Sequence, residues 1–282
     1  MISHSARIMG SSFAFSMITL AAGVALAGGG GGGPVTKDSI GVFNSTSDTF
    51  FLRNTNSAGA TDLKVSFGPA DSVPVPGDFD GNASDTVGVY SPSLGRFFFR
   101  NANSEGPANL TVNFGPAPND PNARVPLIGD WDGVGSDTVG LYERASGRFL
   151  LRNANTNGVA TVTTRFGPKG DANIVPLSGN WNGGDTIDGI GLYDPDAGTF
   201  YLRNDPSTSG GADLTIRFGP RNSTLIPIVG NWNDDDVDTI GLYNPADGTF
   251  ILRNTNSVGA ADATFRYGSA GLTPVRGNWN GD

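Results

Sequence analysis

Cysteine is absent from the 282 residues, which excludes disulfides, thiolate metal sites and cysteine nucleophiles. Histidine occurs once, as His4, in an N-terminal segment that reads as one to be removed. Ser-His-Asp catalysis and histidine-ligated zinc therefore have no residues to use. Glutamate is almost missing as well: of 27 acidic residues only Glu105 and Glu143 are Glu, the rest Asp. Glu suits helix interiors and Asp suits turns and caps, so this imbalance points to a turn-rich, non-helical chain. Basic residues number 18, and the net charge of −9 disfavours nucleic acid and anionic membrane surfaces as partners. The one long apolar stretch, Phe13 to Ala25, is short for a bilayer span and contains Gly23.

That stretch has Arg7 before it and Ala25-Leu26-Ala27 as a small-x-small site after it, so residues 1–27 read as a secretory signal peptide. No cysteine follows to carry a lipid. A secreted, extracellular or cell-surface protein is expected, with the periplasm as another destination and no membrane insertion of the mature chain. Residues 28–37 form a glycine-rich spacer that carries no fold information. The remainder, 38–282, combines 37% hydrophobic residues over the chain with many Gly and Pro, enough to bury a core between frequent turns.

Repetition organises this remainder. Asp38–Phe43, Asp85–Tyr90, Asp137–Tyr142, Asp188–Tyr193 and Asp238–Tyr243 are copies of one hexapeptide spaced by about 50 residues. Aromatic-rich segments ending in Arg-Asn follow at Phe50–Asn54, Phe97–Asn101, Phe149–Asn153, Phe200–Asn204 and Phe250–Asn254. A third segment ends in aromatic-Gly (Phe67, Phe114, Phe166, Phe218 and Tyr267), and a fourth in Gly-Asp/Asn-aromatic (Gly77, Gly129, Gly179, Gly230 and Gly277). Each is a short apolar run bounded by Gly, Asn, Asp or Pro, the signature of a strand between turns. Four strands per unit, five times over, predict an all-β five-bladed β-propeller with four antiparallel strands per blade. The chain enters in the second strand of a unit and leaves after a first strand. Ring closure by the C-terminal strand joining the N-terminal blade follows.

Between the first and second strands lies a hairpin loop dense in oxygen ligands, such as Gly77-Asp78-Phe79-Asp80-Gly81-Asn82-Ala83-Ser84-Asp85. Oxygens at alternate positions with a carboxylate a few residues on can wrap Ca2+. The candidate ligands are Asp78, Asp80, Asn82 and Asp85; Asp130, Asp132 and Asp137; and Asn231, Asn233, Asp235 and Asp238. The loop at Asn180 and Asn182, shifted toward Asp185 and Asp188, has a poorer set. The same residues equally suit Asx turns that need no metal. Phe-Gly-Pro at 67–69, 114–116, 166–168 and 218–220, then the Gly-Asp-Trp/Phe-Asp-Gly loop and the Asp-Thr-Ile/Val-Gly strand, resemble the FG-GAP and VCBS-type repeats of integrin α-subunits and secreted bacterial proteins. The resemblance covers residues 38–282 and implies a propeller with calcium in the first hairpin of some blades, used for adhesion or recognition. The last loop Asp falls at position eight here, where the family has it at nine.

Trp131, Trp181, Trp232 and Trp279 share one repeat position, with Phe79 in the remaining copy. A ring of indoles could stack on sugars; strand alternation instead turns them away from the loop ligands and into blade packing. Arg53, Arg100, Arg152, Arg203 and Arg253 also recur, and pairing with a nearby loop carboxylate is their expected role. Glycoside hydrolysis would need carboxylates singular to particular blades. Glu105 and Glu143, placed in inter-strand loops, have no motif around them. The reading is a non-enzymatic, monomeric binding or adhesion protein whose partner is a glycan or a surface protein. A propeller glycosidase and a purely structural matrix component are the alternatives.

Overall fold

The computed structural model describes residues 37–115, 123–183 and 186–281. The signal segment and nearly all of the spacer lie outside the described residues, as do Pro116, Asp185 and Asp282. Twenty strands and no helix occur among the described residues.

Four blades are continuous in sequence. The first comprises β4 (Val73–Pro74), β5 (Gly88–Ser91), β6 (Arg96–Phe99) and β7 (Leu110–Asn113). The second comprises β8 (Arg124–Gly129), β9 (Thr138–Glu143), β10 (Arg148–Leu151) and β11 (Val162–Arg165). The third runs from β12 (Val175–Gly179) through β13 (Gly189–Asp194) and β14 (Thr199–Arg203) to β15 (Leu214–Arg217). The fourth runs from β16 (Ile226–Gly230) through β17 (Thr239–Asn244) and β18 (Thr249–Leu252) to β19 (Ala263–Arg266). Each is an antiparallel meander in chain order.

The fifth blade mixes the two ends of the chain. β20 (Thr273–Gly277) pairs with β1 (Ser39–Asn44), which continues to β2 (Thr49–Leu52) and β3 (Leu63–Ser66). Its ladder runs from Ser39 opposite Gly277 to Phe43 opposite Thr273. The Ser39 hydroxyl donates to the Gly277 carbonyl at 3.1 Å, and the Trp279 indole N–H to the Ile40 carbonyl at 3.2 Å. The expected closure is present, and the five-bladed propeller of four antiparallel strands per blade is the fold.

The first strands of the blades are innermost, β8 beside β12, β12 beside β16 and β16 beside β20. β4 is the shortest. Pro74 and Pro76 both lack an N–H there, so the ladder shrinks to two residues and resumes as a single bridge between Gly77 and Thr86.

Apolar clusters fill the gaps between blades. One joins Val125, Leu127, Trp131, Tyr142 and Phe149 of the second blade to Ile190 and Leu192 of the third. A cross-strand aromatic pair repeats in all five blades with ring centroids 4.6–4.8 Å apart: Phe43–Phe50, Tyr90–Phe97, Tyr142–Phe149, Tyr193–Phe200 and Tyr243–Phe250. The tilted contact suits the quadrupoles of the rings and adds to the burial.

Candidate functional site

The loop side chains sort into three groups that point in different directions. The first position folds back on its own loop. Asp78 accepts the backbone N–H of Gly81 and Asn82 on Oδ1 (2.8 and 3.1 Å) and that of Ala83 on Oδ2 (2.7 Å). Asp130 likewise accepts from Gly133, Val134 and Gly135 at 2.7–3.2 Å. Where the position is Asn, Oδ1 still closes the loop, from Asn180 to Gly183, Asn231 to Asp234 and Asn278 to Gly281. The amide NH2 of Asn180 and Asn278 then donates to carbonyls of the next blade's loop, Asp236 and Ala83.

The last loop position leaves its own loop altogether. The N–H of Asp78 donates to Oδ2 of Asp137 at 2.9 Å, Asp130 to Asp188 at 3.0 Å and Asn180 to Asp238 at 2.9 Å. Asn231 donates to Asp38 at 2.9 Å, and Asn278 to Asp85 at 2.7 Å. In return the N–H of each of these aspartates donates to the carbonyl of the same partner at 2.7–2.9 Å. Every blade boundary thus carries the same two-bond clasp, and the fifth clasp closes the circle. The glycine before each clasped residue makes room for it: a Cβ on Gly129, Gly179 or Gly230 would lie 2.8–2.9 Å from a clasping carboxylate oxygen. That close approach explains the Gly-Asp/Asn-Trp motif.

The middle positions are outside the clasps: Asp80, Asn82, Asn233 and Asp235 are exposed and Asp132 is half-buried. Asn82 accepts from the Ser84 N–H at 2.9 Å, and Asn233 donates to Asp235 at 2.8 Å. Among the described residues no three His, Cys, Asp or Glu side chains are grouped as a metal ion would need. In this arrangement the first carboxylate is spent on backbone amides and the last faces another blade, so the outward-facing oxygens of these loops are those of the middle positions.

The indoles are not available as stacking platforms. Trp131, Trp181, Trp232 and Trp279 are each only 3% exposed. Trp131 donates to the Thr138 carbonyl and lies over Gly129 and Gly140, where a Cβ would meet its ring at 2.8 and 3.1 Å. The arginines also differ from expectation, because carbonyl oxygens rather than carboxylates are their main acceptors. Arg53 donates from Nε to Ser57 O, from Nη1 to Ala60 O and from Nη2 to Ala58 O. Arg100, Arg152 and Arg253 hold their loops in the same way. Asp62 and Asp262 lie 3.9 and 3.8 Å away, at the outer limit of an ion pair. In the third blade the loop is one residue longer, and Arg203 reaches only the Thr208 hydroxyl at 2.7 Å. Asn56, Asn103, Asn155 and Asn256 add a second tether, each donating to the carbonyl of the clasping Asp of its own blade at 2.7–2.8 Å. Their recurrence after Arg-Asn is the sequence signal for it.

Sequence reasoning also missed Arg276. It occupies the position of Pro76, Ile128, Ser178 and Val229 in the other innermost strands, and is 3% exposed. Its Nη1 donates to Asp38 Oδ2 at 3.1 Å, and its charge acts on Asp85, Asp137, Asp188 and Asp238 as well. Burial raises all five carboxyl groups above the usual carboxylate range. Asp85 and Asp238 are pushed up to about 7, and Asp137 and Asp188 go well above their ordinary value, with neighbouring aspartates adding to the shift. Glu143 ends β9 rather than sitting in a loop, and binds the Ser146 hydroxyl at 2.6 Å and Arg124 at 3.4 Å. Glu105 is at an exposed loop tip.

No family model matches the chain, and neither the search of curated proteins nor that of solved structures found a match.

Proposed function

We propose that the chain is an exported, non-enzymatic recognition or adhesion protein of the FG-GAP/VCBS type, with glycans as its partner class. The observation that carries this reading is the loop between the third and fourth strands of each blade. Four of the five loops have one backbone course, held by an arginine and an asparagine, while the tip residue changes: Ala58, Glu105, Asn157 and Val258, all exposed, with Asn157 also accepting the Asn113 N–H of the first blade at 2.7 Å. Fixed backbone with varied side chains is how a rigid scaffold presents contacts, and four equivalent positions favour multivalent binding. The recurring Asp, Arg and Trp residues are committed to the scaffold, which leaves these tips as the blade-specific chemistry. Calcium is not required by this reading.

A glycan array probed with the full chain, in calcium and again in chelator, tests it. Binding in both conditions that weakens when Glu105 and Val258 are changed to Lys is expected. A blank array in both conditions would overturn the glycan partner, and binding seen only with calcium would restore the loop carboxylates as ligands.

A further inference from the structure

Four blades join their first and second strands through a covalent hairpin; the fifth joins β20 to β1 with no chain between them. At this seam, and at no equivalent position elsewhere, an arginine replaces a small or apolar residue. We propose that Arg276 is the latch of the ring, holding the two chain ends in one blade through Asp38 while supplying the countercharge to the five clasping aspartates.

Oδ2 of Asp38 accepts from the Arg276 guanidinium at 3.1 Å and from the Asn231 N–H at 2.9 Å. One oxygen therefore ties together the C-terminal strand, the start of the N-terminal strand and the loop of the fourth blade. Removing the guanidinium leaves five carboxyl groups, each no more than 5% exposed, with no cation among them. A buried charge stripped of its partner is costly, whereas an apolar residue at the same position in a neutral surrounding is not. That is why Ile128 and Val229 are tolerated where the hairpin is covalent and Arg276 already serves the ring. The Nε and Nη2 atoms of Arg276 and the Oδ1 atoms of Asp85, Asp188 and Asp238 have no hydrogen-bond partner in the protein, so no saturated hydrogen-bond network takes the place of the guanidinium charge when the carboxyl groups ionise. The seam is the place where the ring opens first when the Arg276 charge is lost while the carboxyl groups are ionised.

Hydrogen exchange on the full chain tests this, comparing peptides over β20 and β1 with those over β16 and β12. In Arg276→Met at pH 8, exchange at the seam is expected to accelerate at least about tenfold over the intact blades. Lowering the pH to 5 should restore it, because the carboxyl groups then take up protons in place of the lost cation. Asp38→Asn keeps an acceptor for Asn231 but removes the ion pair, and should loosen the seam selectively even if Arg276→Met does not fold. Arg276→Lys, which keeps the charge, should stay closer to the parent. Equal acceleration in all inner strands, or no selective change at the seam in the variants that fold, would overturn the latch.

Discussion

At the scale of single residues the recurrent sequence is a set of steric and hydrogen-bonding agreements between neighbours. Gly179 is a case in point, since a methyl group there would press both on Asp238 Oδ2, 2.8 Å away, and on the Trp181 ring at 2.9 Å. Gly179→Ala is expected to cost about 2–4 kcal/mol, in the range of overpacking combined with a broken buried hydrogen bond. Gly211 has nothing within 4 Å of an added Cβ, and Gly211→Ala is expected to be neutral or slightly stabilising. Urea denaturation of both variants measures the difference. The glycine, the aspartate and the tryptophan were all legible as repeat positions. Their partnership was not, because the clasp joins Asn180 to Asp238 across 58 residues and no spacing within one repeat reveals it. Arg276 was not legible for the opposite reason: it breaks the repeat, so no recurrence marks it.

At the scale of elements the strands and their order could be read from apolar runs and turn residues, while their lengths depended on local chemistry. The aromatic segments stop before the arginine in four blades, at Leu52, Phe99, Leu151 and Leu252. There the guanidinium turns into the following loop. Loop function was the least legible element. The alternation of Asp and Asn fits both a calcium loop and an Asx-closed loop, and only the direction of each carboxylate separates them. The C-terminal strand carries the most consequence for its size. Deleting residues 270–282 removes β20, the indole of Trp279, Arg276 and the clasp of Asn278 with Asp85. The edge of β1 and one blade boundary would be left bare. Loss of a cooperative thermal transition is expected on circular dichroism; an unchanged melting curve would show that the ring does not need its closing strand.

The whole molecule couples these clasps into one titrating circle. A chain with many aspartates in solution would gain nothing from acid, because exposed carboxylates titrate alike folded and unfolded. Here five aspartates are buried at the blade boundaries with their carboxyl groups raised, two of them to about 7. In the unfolded chain each would titrate near about 3.9. Between these values the folded state holds more protons than the unfolded state, so stability falls as pH rises. The contribution is complete below about pH 4 and is lost progressively up to about 7 for Asp85 and Asp238, and Asp137 and Asp188, also raised well above their ordinary value, act in the same sense. Glu143, Asp205 and Asp247, which are not buried, act in the opposite sense, since they are lowered by their hydrogen-bond partners. Exposure keeps that opposing effect small. The midpoint of thermal unfolding is therefore expected to fall by several degrees between pH 5 and pH 8. Asp188 is the sharpest probe, being fully buried and facing Asp130, Asp238 and Arg276. Asp188→Asn keeps an oxygen to accept the Asp130 N–H but has no charge to bury. It should raise the midpoint at pH 8, leave it nearly unchanged at pH 5 and flatten the slope between them. A parent protein whose stability rises from pH 5 to pH 8, or an Asp188→Asn variant weaker than the parent at pH 8, would mean that the clasps work as carboxylates and that the circle is held by charge on every member.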